Sequence, residues 1–509
     1  MGVPIAKTFS QIKSVHPGKS VFDLSYEKKL TCDMGQLIPV MCDEMVPGDV
    51  FIMSNEIVAR LQPLVAPILH EINIFVHYFF VPYRILWPEP SGWETFITGG
   101  VQGTDVSAVL PRWSPTVNTL YSLWDYLGFP LGIVPLGATP LDFVRRAYNR
   151  IYNEYYRDET LIPAVAETNE AILKRAWEKD YFTSCLPWQQ RGTAPALPIT
   201  GTTHAIFPLS AFAQFDGGST GYAWGPNATT GHMNAGANSN SPGYSKAFFD
   251  NNSVDLSSAS TFDVADLRLA FQIQKWMERN ARAGVRYTEF LQSHFGVSPR
   301  DERLQRPEYI GGSKSPVIVS EVLQQSETAT TPQGHMAGHG ISVSQRFVGK
   351  YHACEFGVMM GIMSIMPRTV YQNGINRQWL RRTKYDFYFP EFANLSEQAI
   401  EQCEIYADGV SADNLTIFGY QGRFDEMRYK PSMVVSQFRH SASPSFEYWM
   451  LARNFTAAPL LNQTFIECVP GKLPFAVTDT PEFLINCANI IKAIRPLPVQ
   501  ANPGLIDHH

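Results

Sequence analysis

The chain has 509 residues, a net charge of −6 and only 17% charged residues, against a typical ~25%. That balance argues against a dedicated nucleic-acid binder, which carries a broad basic excess, and against a solitary soluble protein with a large surface to solvate. Gly and Pro number 36 each and aromatics reach 13%, which suits a loop-rich subunit covered by neighbours, because interface cores lose charge and gain aromatic residues and Met.

The length exceeds the ~250–300 residues that one simple core fills, yet no clear linker divides the chain. Residues 1–20 carry Lys7, Lys13 and Lys19 and no acid, and read as an extended arm. They lack the apolar run of a secretory signal, and Ala6 departs from the myristoylation pattern. "LSYEKKLTCDMGQLIPVMC", "DVFIMSNEIVARL" and "INIFVHYFFVPYRILW" follow as strand regions. Pro47–Asp49 supplies a turn, and "PLVAPIL" interrupts pairing because Pro lacks the ladder donor. The third region is apolar or aromatic at nearly every position, so it asks for burial on both faces. His77, Pro82 and Arg84 break it well short of the ~18 residues of a membrane span.

Residues 139–182 change period. "TPLDFVRRAYNRIYNEYYRD" places Thr139 at an N-cap and Pro140 at the first helical position, and "AETNEAILKRAWEKDYF" reads as a second helix. Further helices are expected within 262–296, with Gly284 and Gly296 as stops. Residues 214–261 between them are dominated by Gly, Asn, Ser and Ala and read as a low-complexity surface loop. Strands return in "SPVIVSEVLQQS", "GISVSQRFV", "HACEFGVMMGIMSIMPRTVY" and "NQTFIECV", and "FEYWMLARNF" reads as a short helix. Without βαβ alternation the sheets are antiparallel. The fold class is mainly β: a single jelly-roll β-barrel spanning residues 21–509, discontinuous, with long helical and loop insertions.

No motif carries catalysis or a cofactor. "GGSTG" around Ser219 matches a nucleophile elbow but lacks the flanking strand and helix. "GGSKSP" (Gly311–Pro316) lacks the spacing of a phosphate loop. His335 and His339 are four apart, but Gly334, Gly338 and Gly340 make the stretch a loop, so they are only weak metal candidates. The seven cysteines form no CxxC pair and read as reduced, mostly buried thiols. Two basic clusters stand out. Arg279, Arg282 and Arg286 lie beside Trp276 and Tyr287; Arg377, Arg381, Arg382 and Lys384 lie beside Trp379. Arginine interleaved with aromatics suits single-strand phosphate contact and base stacking. The same pattern suits an Arg-rich subunit interface, or arginines paired with acids such as Glu278.

Strings along nearly the whole chain resemble the major capsid proteins of the Microviridae, the small icosahedral single-stranded DNA phages, and most of all the gokushovirus branch. They include "FDLSYEKKLTCDMGQLIPVMCDEMVPGDVF", "HYFFVPYRILW", "RAYNRIYNEYYRDE", "KDYFTSCLPWQQRG", "RNARAGVRYTEFLQSHFGV", "RPEYIGGSKSPV", "TPQGHMAGHG", "GIMSIMPRTVYQNGINRQW", "DFYFPEFANLSEQ" and "FGYQGRFDEMRY". At Tyr152, Tyr155 and Phe389 this chain has Tyr or Phe where the family often has Trp. The resemblance implies a jelly roll in a T=1 shell around circular single-stranded DNA, assembled in the bacterial cytoplasm. It implies an internal scaffolding protein, a DNA pilot protein, a small basic DNA-packing protein and a host cell-surface receptor as partners, and no membrane. It matches segment 214–261, with Tyr222, Trp224, His232 and Tyr244, to the loop that builds threefold protrusions. Two rival readings remain open on the residues alone: a carbohydrate-binding β-sandwich acting as a small oligomer, and a hydrolase using Ser219.

Overall fold

A computed structural model describes residues 18–101, 103, 107–113, 117–132, 139–195, 264–323, 325 and 336–500, together with the strand pairs 205–206 with 253–254 and 225–226 with 233–234. Contacts divide the chain into two compact units, residues 1–189 with 281–509, and residues 190–280. The expected arm through residue 17, and most of the expected loop 214–261, lie outside the described residues.

The first unit is built on two antiparallel sheets. Its strands are β1 (Ser20–Asp23), β2 (Tyr26–Cys32), β3 (Ile38–Met45), β4 (Val50–Leu61), β5 (Ile72–Pro82), β6 (Glu308–Pro316), β7 (Ile318–Leu323), β8 (Met336–His352) and β9 (Gly357–Pro367). They continue as β10 (Glu397–Glu401), β11 (Ile417–Gly422) and β12 (Phe483–Arg495). Sheet one runs β1–β12–β4–β8–β7, with β2 following β1 along the same edge of β12. Sheet two runs β6–β5–β9–β3, and β10 pairs with β11 as a separate hairpin. The inner faces of the two sheets share one core. Phe51, Met53 and Ile57 of β4 and Phe483, Ile485 and Ile491 of β12 meet Ile74, Tyr78 and Phe80 of β5 and Met359, Met363 and Ile365 of β9. The protein is mainly β, a sandwich of antiparallel sheets with few helices.

β5 is the greasy stretch of the sequence, and it is buried on both faces. Its even-numbered residues enter the inter-sheet core. Its outward Phe79 and Val81 pack under α1 (Phe143–Ile151), against Phe143, Ala147, Tyr148 and Ile151. Outward Phe75 meets Trp177, Met366 and Cys468. β9, beside it, is buried at every position too. The second greasy face is therefore covered by the chain's own insertion.

α1 begins at Phe143 rather than Pro140, because Leu141 bridges to Arg112 and the Asp142 amide donates to Pro111 O at 3.0 Å. A π turn, Tyr152–Tyr156, continues it. The expected second helix over 166–182 does not form. Its backbone is laced in extended form between two other segments: Leu37 N donates to Leu173 O (2.9 Å), Arg175 N to Gly35 O (2.7 Å) and Cys468 N to Arg175 O (2.9 Å). Tertiary backbone pairing overrides helical propensity there. "NQTFIECV" is not a strand either: Gln463–Ile466 forms a helical turn capped by Asn462, and "FEYWMLARNF" holds only the turn Glu447–Trp449. Downstream, α2 (Val264–Ala283) and α3 (Tyr287–Phe295) form where expected. Both end at positive-φ glycines, Gly284 (102°) and Gly296 (69°). β12, unforeseen in the sequence, is the strand that joins the two chain ends of the sheet, pairing with β1, β2 and β4.

The stretch around His339 is also strand, not loop. Gly338 and Gly340 lie in β8 because a Cβ at Gly338 would stand 2.8 Å from Ala66 O, and one at Gly340 would strike the Leu61 side chain. They are close-approach glycines rather than turn glycines.

Two outcomes test this packing. Phe79→Ala removes a fully buried ring and should cost about 3–5 kcal/mol in urea unfolding of the chain. Glu482, only 2% exposed, accepts from Met34 N at 2.8 Å, and burial pushes its carboxyl up to about 7. A folded pKa above the unfolded ~4.5 means stability that is full below pH ~4.5 and falls as pH rises through ~7. Glu482→Gln, which keeps the acceptor, should flatten that fall; an unchanged pH profile would show that Glu482 does not set it.

Candidate assembly and nucleic-acid surfaces

The basic cluster at 377–384 follows a 3-10 turn, Arg377–Trp379, capped by Asn376, whose side chain accepts from Gln378 N at 3.1 Å. Its arginines already have partners. Arg377 donates to Glu404 (2.6 Å) and to Ala399 O (2.8 Å). Glu404 is buried, also accepts from Tyr181 OH (3.0 Å), and burial raises its carboxyl above the usual range. Arg382 grips Glu401 through two bonds of 2.7 and 2.6 Å. Arg381 lies over the Phe387 ring (4.9 Å) with Glu426 at 4.0 Å, and Lys384 lies over Tyr385 (5.0 Å). Trp379 itself is 75% exposed, and Tyr385, Phe387, Tyr388, Phe389 and Tyr429 are exposed around it. The cluster is thus an aromatic surface whose guanidinium charge is largely spent within the chain.

The second cluster is similar. Arg286 is held by Glu159 (3.0 Å), Glu289 (3.2 Å) and Arg157 O (3.0 Å). Arg282 pairs with Glu397 and Ser396 O. Arg286 and Arg377 therefore do structural work on buried or half-buried acids. Arg279 is exposed on α2. His339 lies in β8, its carbonyl accepting from Ser320 Oγ at 3.2 Å. His335, Ser219, Tyr222, Trp224, His232 and Tyr244 lie outside the described residues. Among the described residues no group of three or more His, Cys, Asp and Glu is placed to hold a metal ion.

A surface that the sequence reading missed lies on the outer face of sheet one. Segment 120–126 borders this face at Val58, Arg60, Leu484 and Asn486, and beyond it Ile318, Val343 and Phe347 are exposed. Register aligns Leu484, Arg60, Ile341 and Ile318 in one row, and Asn486, Val58 and Val343 in the next; Ser54 stands beside Phe347. Phe347 is 67% exposed, Val343 65%, and Ile318, Val322 and Leu484 are exposed with them. The signal was present in "SPVIVSEVL" and "GISVSQRFV", where apolar residues fall on both parities. Such strands are covered on both sides or expose apolar residues, and exposed apolar residues interspersed with polar ones, here Arg60, Ser320, Glu56 and Gln345, mark an interaction site.

The ion pairs separate by burial. Arg377→Ala should cost about 3–5 kcal/mol, because it strips a buried carboxylate of its cation. Arg382→Ala, at a pair whose arginine side chain is 54% exposed, should cost ~1 kcal/mol or less. Equal losses in urea titrations of the two variants would contradict this division.

The comparisons agree with the surfaces. Residues 10–505 match the family model described as "Capsid protein (F protein)". The chain is 34% identical to "Capsid protein VP1" of Chlamydia phage 1 and 35% identical to "Capsid protein VP1" of Bdellovibrio phage phiMH2K; each match covers 98% of this chain and 97% of the relative. "Capsid protein VP1" of Spiroplasma virus 4 is 29% identical over the same shares. The resemblance read from the sequence is borne out, and the carbohydrate-binding and hydrolase readings fall away. The chain belongs to the phage F-type capsid protein family: it is a structural, non-enzymatic protein of the virion, built to assemble with copies of itself into a shell.

Proposed function

We propose that the sandwich is a single jelly roll in one discontinuous domain, and that copies of it close into a T=1 icosahedral shell around circular single-stranded DNA. The open apolar face of sheet one is the observation that carries this reading. An exposed row of Ile, Val, Phe and Leu is tolerable when a neighbouring copy covers it, and point-group closure multiplies each such contact. The aromatic surface around Trp379 serves as a second subunit contact, since its arginines are already matched by acids. Exposed Arg279 and Lys384 are the members of the two clusters best placed to reach phosphate. The mild negative charge fits a shell that leaves most DNA neutralisation to a small basic packing protein, with a scaffolding protein and a pilot protein as further partners in the bacterial cytoplasm. Segment 214–261 is assigned to threefold protrusions that meet the host receptor, on the strength of the resemblance alone.

The test is a pair of serine substitutions, Val343→Ser and Phe347→Ser, in one chain expressed with its scaffold. Both side chains are exposed, so unfolding stability should move by less than ~1 kcal/mol. Icosahedral particles seen by electron microscopy should be lost or reduced at least tenfold. Normal particle yield would remove sheet one's outer face from the assembly contacts.

A further inference from the structure

A groove of about 1240 Å³ lies on the outer side of sheet two. Its floor holds His77 and Phe79 of β5 and the guanidinium of Arg175. Tyr155 and Tyr156 of the π turn form one wall, and Tyr309 of β6 another. π insertions in helices recur at functional sites, and here the insertion is what brings two successive tyrosines toward the same groove.

Arg175 is the unusual member. It donates to Ser364 Oγ at 2.8 Å and lies over the Phe75 ring at 4.4 Å. No carboxylate stands within ion-pair distance of it among the described residues. The other cations of the groove are matched: Arg306 by Asp301 at 2.6 Å, Lys179 by Asp158 at 2.6 Å, and Arg300 more loosely by Glu302 at 3.6 Å. A half-buried guanidinium without a counter-ion is costly, and an arriving anion relieves that cost. Its planar fork matches phosphate oxygens two at a time. His77 adds no second charge. Its Nδ1 shares a 2.8 Å hydrogen bond with Tyr156 OH, and burial, with Arg175 nearby, pushes its pKa down to about 4.

The groove therefore offers one unbalanced positive site rather than a basic stripe, and Glu178, Glu302 and Glu308 on its lining discourage a run of phosphates. Beside that site stand rings with open faces. Tyr309, 48% exposed, lies 5.5 Å from Phe79 and 6.0 Å from His77 between ring centroids. One phosphate joined to one flat, polar ring satisfies both features. The acids then meet the ring N–H or amino donors of a base rather than a second phosphate. The volume exceeds the ~300–1,000 Å³ of ordinary small-ligand pockets, which leaves room for a strand to enter and leave. The geometry points to a nucleotide site: the groove takes a single nucleoside phosphate, its phosphate on Arg175 and its base stacked at Tyr309 and Tyr155, either as a free nucleotide or as one unit of a single strand. The choice of a single strand as the natural source rests on the proposed function; the chemistry of the site does not.

The test titrates the soluble chain with dTMP, with a dT decamer and with inorganic phosphate, reading the fluorescence of Trp177, which lines the groove, alongside filter binding of the decamer. Two variants accompany it: Tyr309→Ala, at an exposed ring that folding does not need, and Arg175→Lys, which keeps the charge and loses the fork. Both dTMP and the decamer should bind. Each variant should weaken them about tenfold, in line with the loss of one stacked ring or one bidentate contact, while thermal unfolding of Tyr309→Ala stays unchanged. A decamer that binds with dTMP excluded would make the strand the only source. Binding of inorganic phosphate with no dependence on Tyr309 would overturn the nucleotide assignment, as would failure of both dTMP and decamer to bind folded chain. Decamer binding indifferent to both variants would overturn it as well and leave shell assembly around DNA untouched, because particle formation is scored separately.

Discussion

β5 and β9 lie side by side in the middle of sheet two, and of their residues only His77 is partly open to water. A two-sheet sandwich covers only one face of each strand. The other must be covered by something else, and most of the excursions between strands answer that need. α1 lays Phe143, Ala147, Tyr148 and Ile151 over the outward residues of β5 and β9. The Tyr148 hydroxyl then pins the cover in place, donating to Leu37 O at 2.8 Å and accepting from Leu173 N at 3.0 Å. The extended lace 172–177 is held between Gly35–Leu37 and Ile466–Cys468, so the cover is tied to both ends of the chain. Remove the two-faced strands and neither the helix nor the lace has a reason to be where it is.

Sheet one shares the core, and among the described residues its outer face at β7 and β8 stays exposed. Its outer face carries Ile318, Ile341, Val343 and Phe347 on adjacent strands, in a chain otherwise able to seal an apolar face with its own insertions. The contrast between the two sheets is the clearest physical sign of assembly. One face is closed within the subunit and gives it stability before it meets another. Under the proposed function, the other is the face that a neighbour covers.

Much of this was legible in the residues, and the failures share a cause. β5 declared its two-sided burial because apolar residues occupy both parities. α2 and α3 declared their ends through Gly284 and Gly296. What misled was local pattern without knowledge of partners. Residues 166–182 have helical composition, but their backbone groups are claimed by Gly35, Leu37 and Cys468. The glycines at 338 and 340 look like a turn, but they are small because Ala66 and Leu61 press against them. β12 was hidden by inverted cues: polar Asn489 points inward, where it donates to Val40 O at 3.0 Å, while Leu484 is exposed. The arginine clusters stand beside Glu404, Glu401 and Glu159, acids that come from other segments of the chain and that the fold brings to them.

Charge follows the same logic as burial. A shell protein that met its genome with a broad basic surface would repel its own copies across every symmetry axis, at distances where screening is incomplete. Here several of the cations are matched by acids. Arg377 answers Glu404, Arg382 answers Glu401, Arg286 answers Glu159 and Arg306 answers Asp301. Each match lowers the net positive charge of its surface and, where the acid is buried, secures the fold as well. Against that background an unmatched guanidinium carries information that it would not carry in a basic protein. Arg175 has no carboxylate within ion-pair distance among the described residues, and neither has Arg453; but Arg453 donates to Phe465 O and lies over the Phe455 and Phe465 rings, whereas Arg175 lines an open groove that an anion from outside can reach.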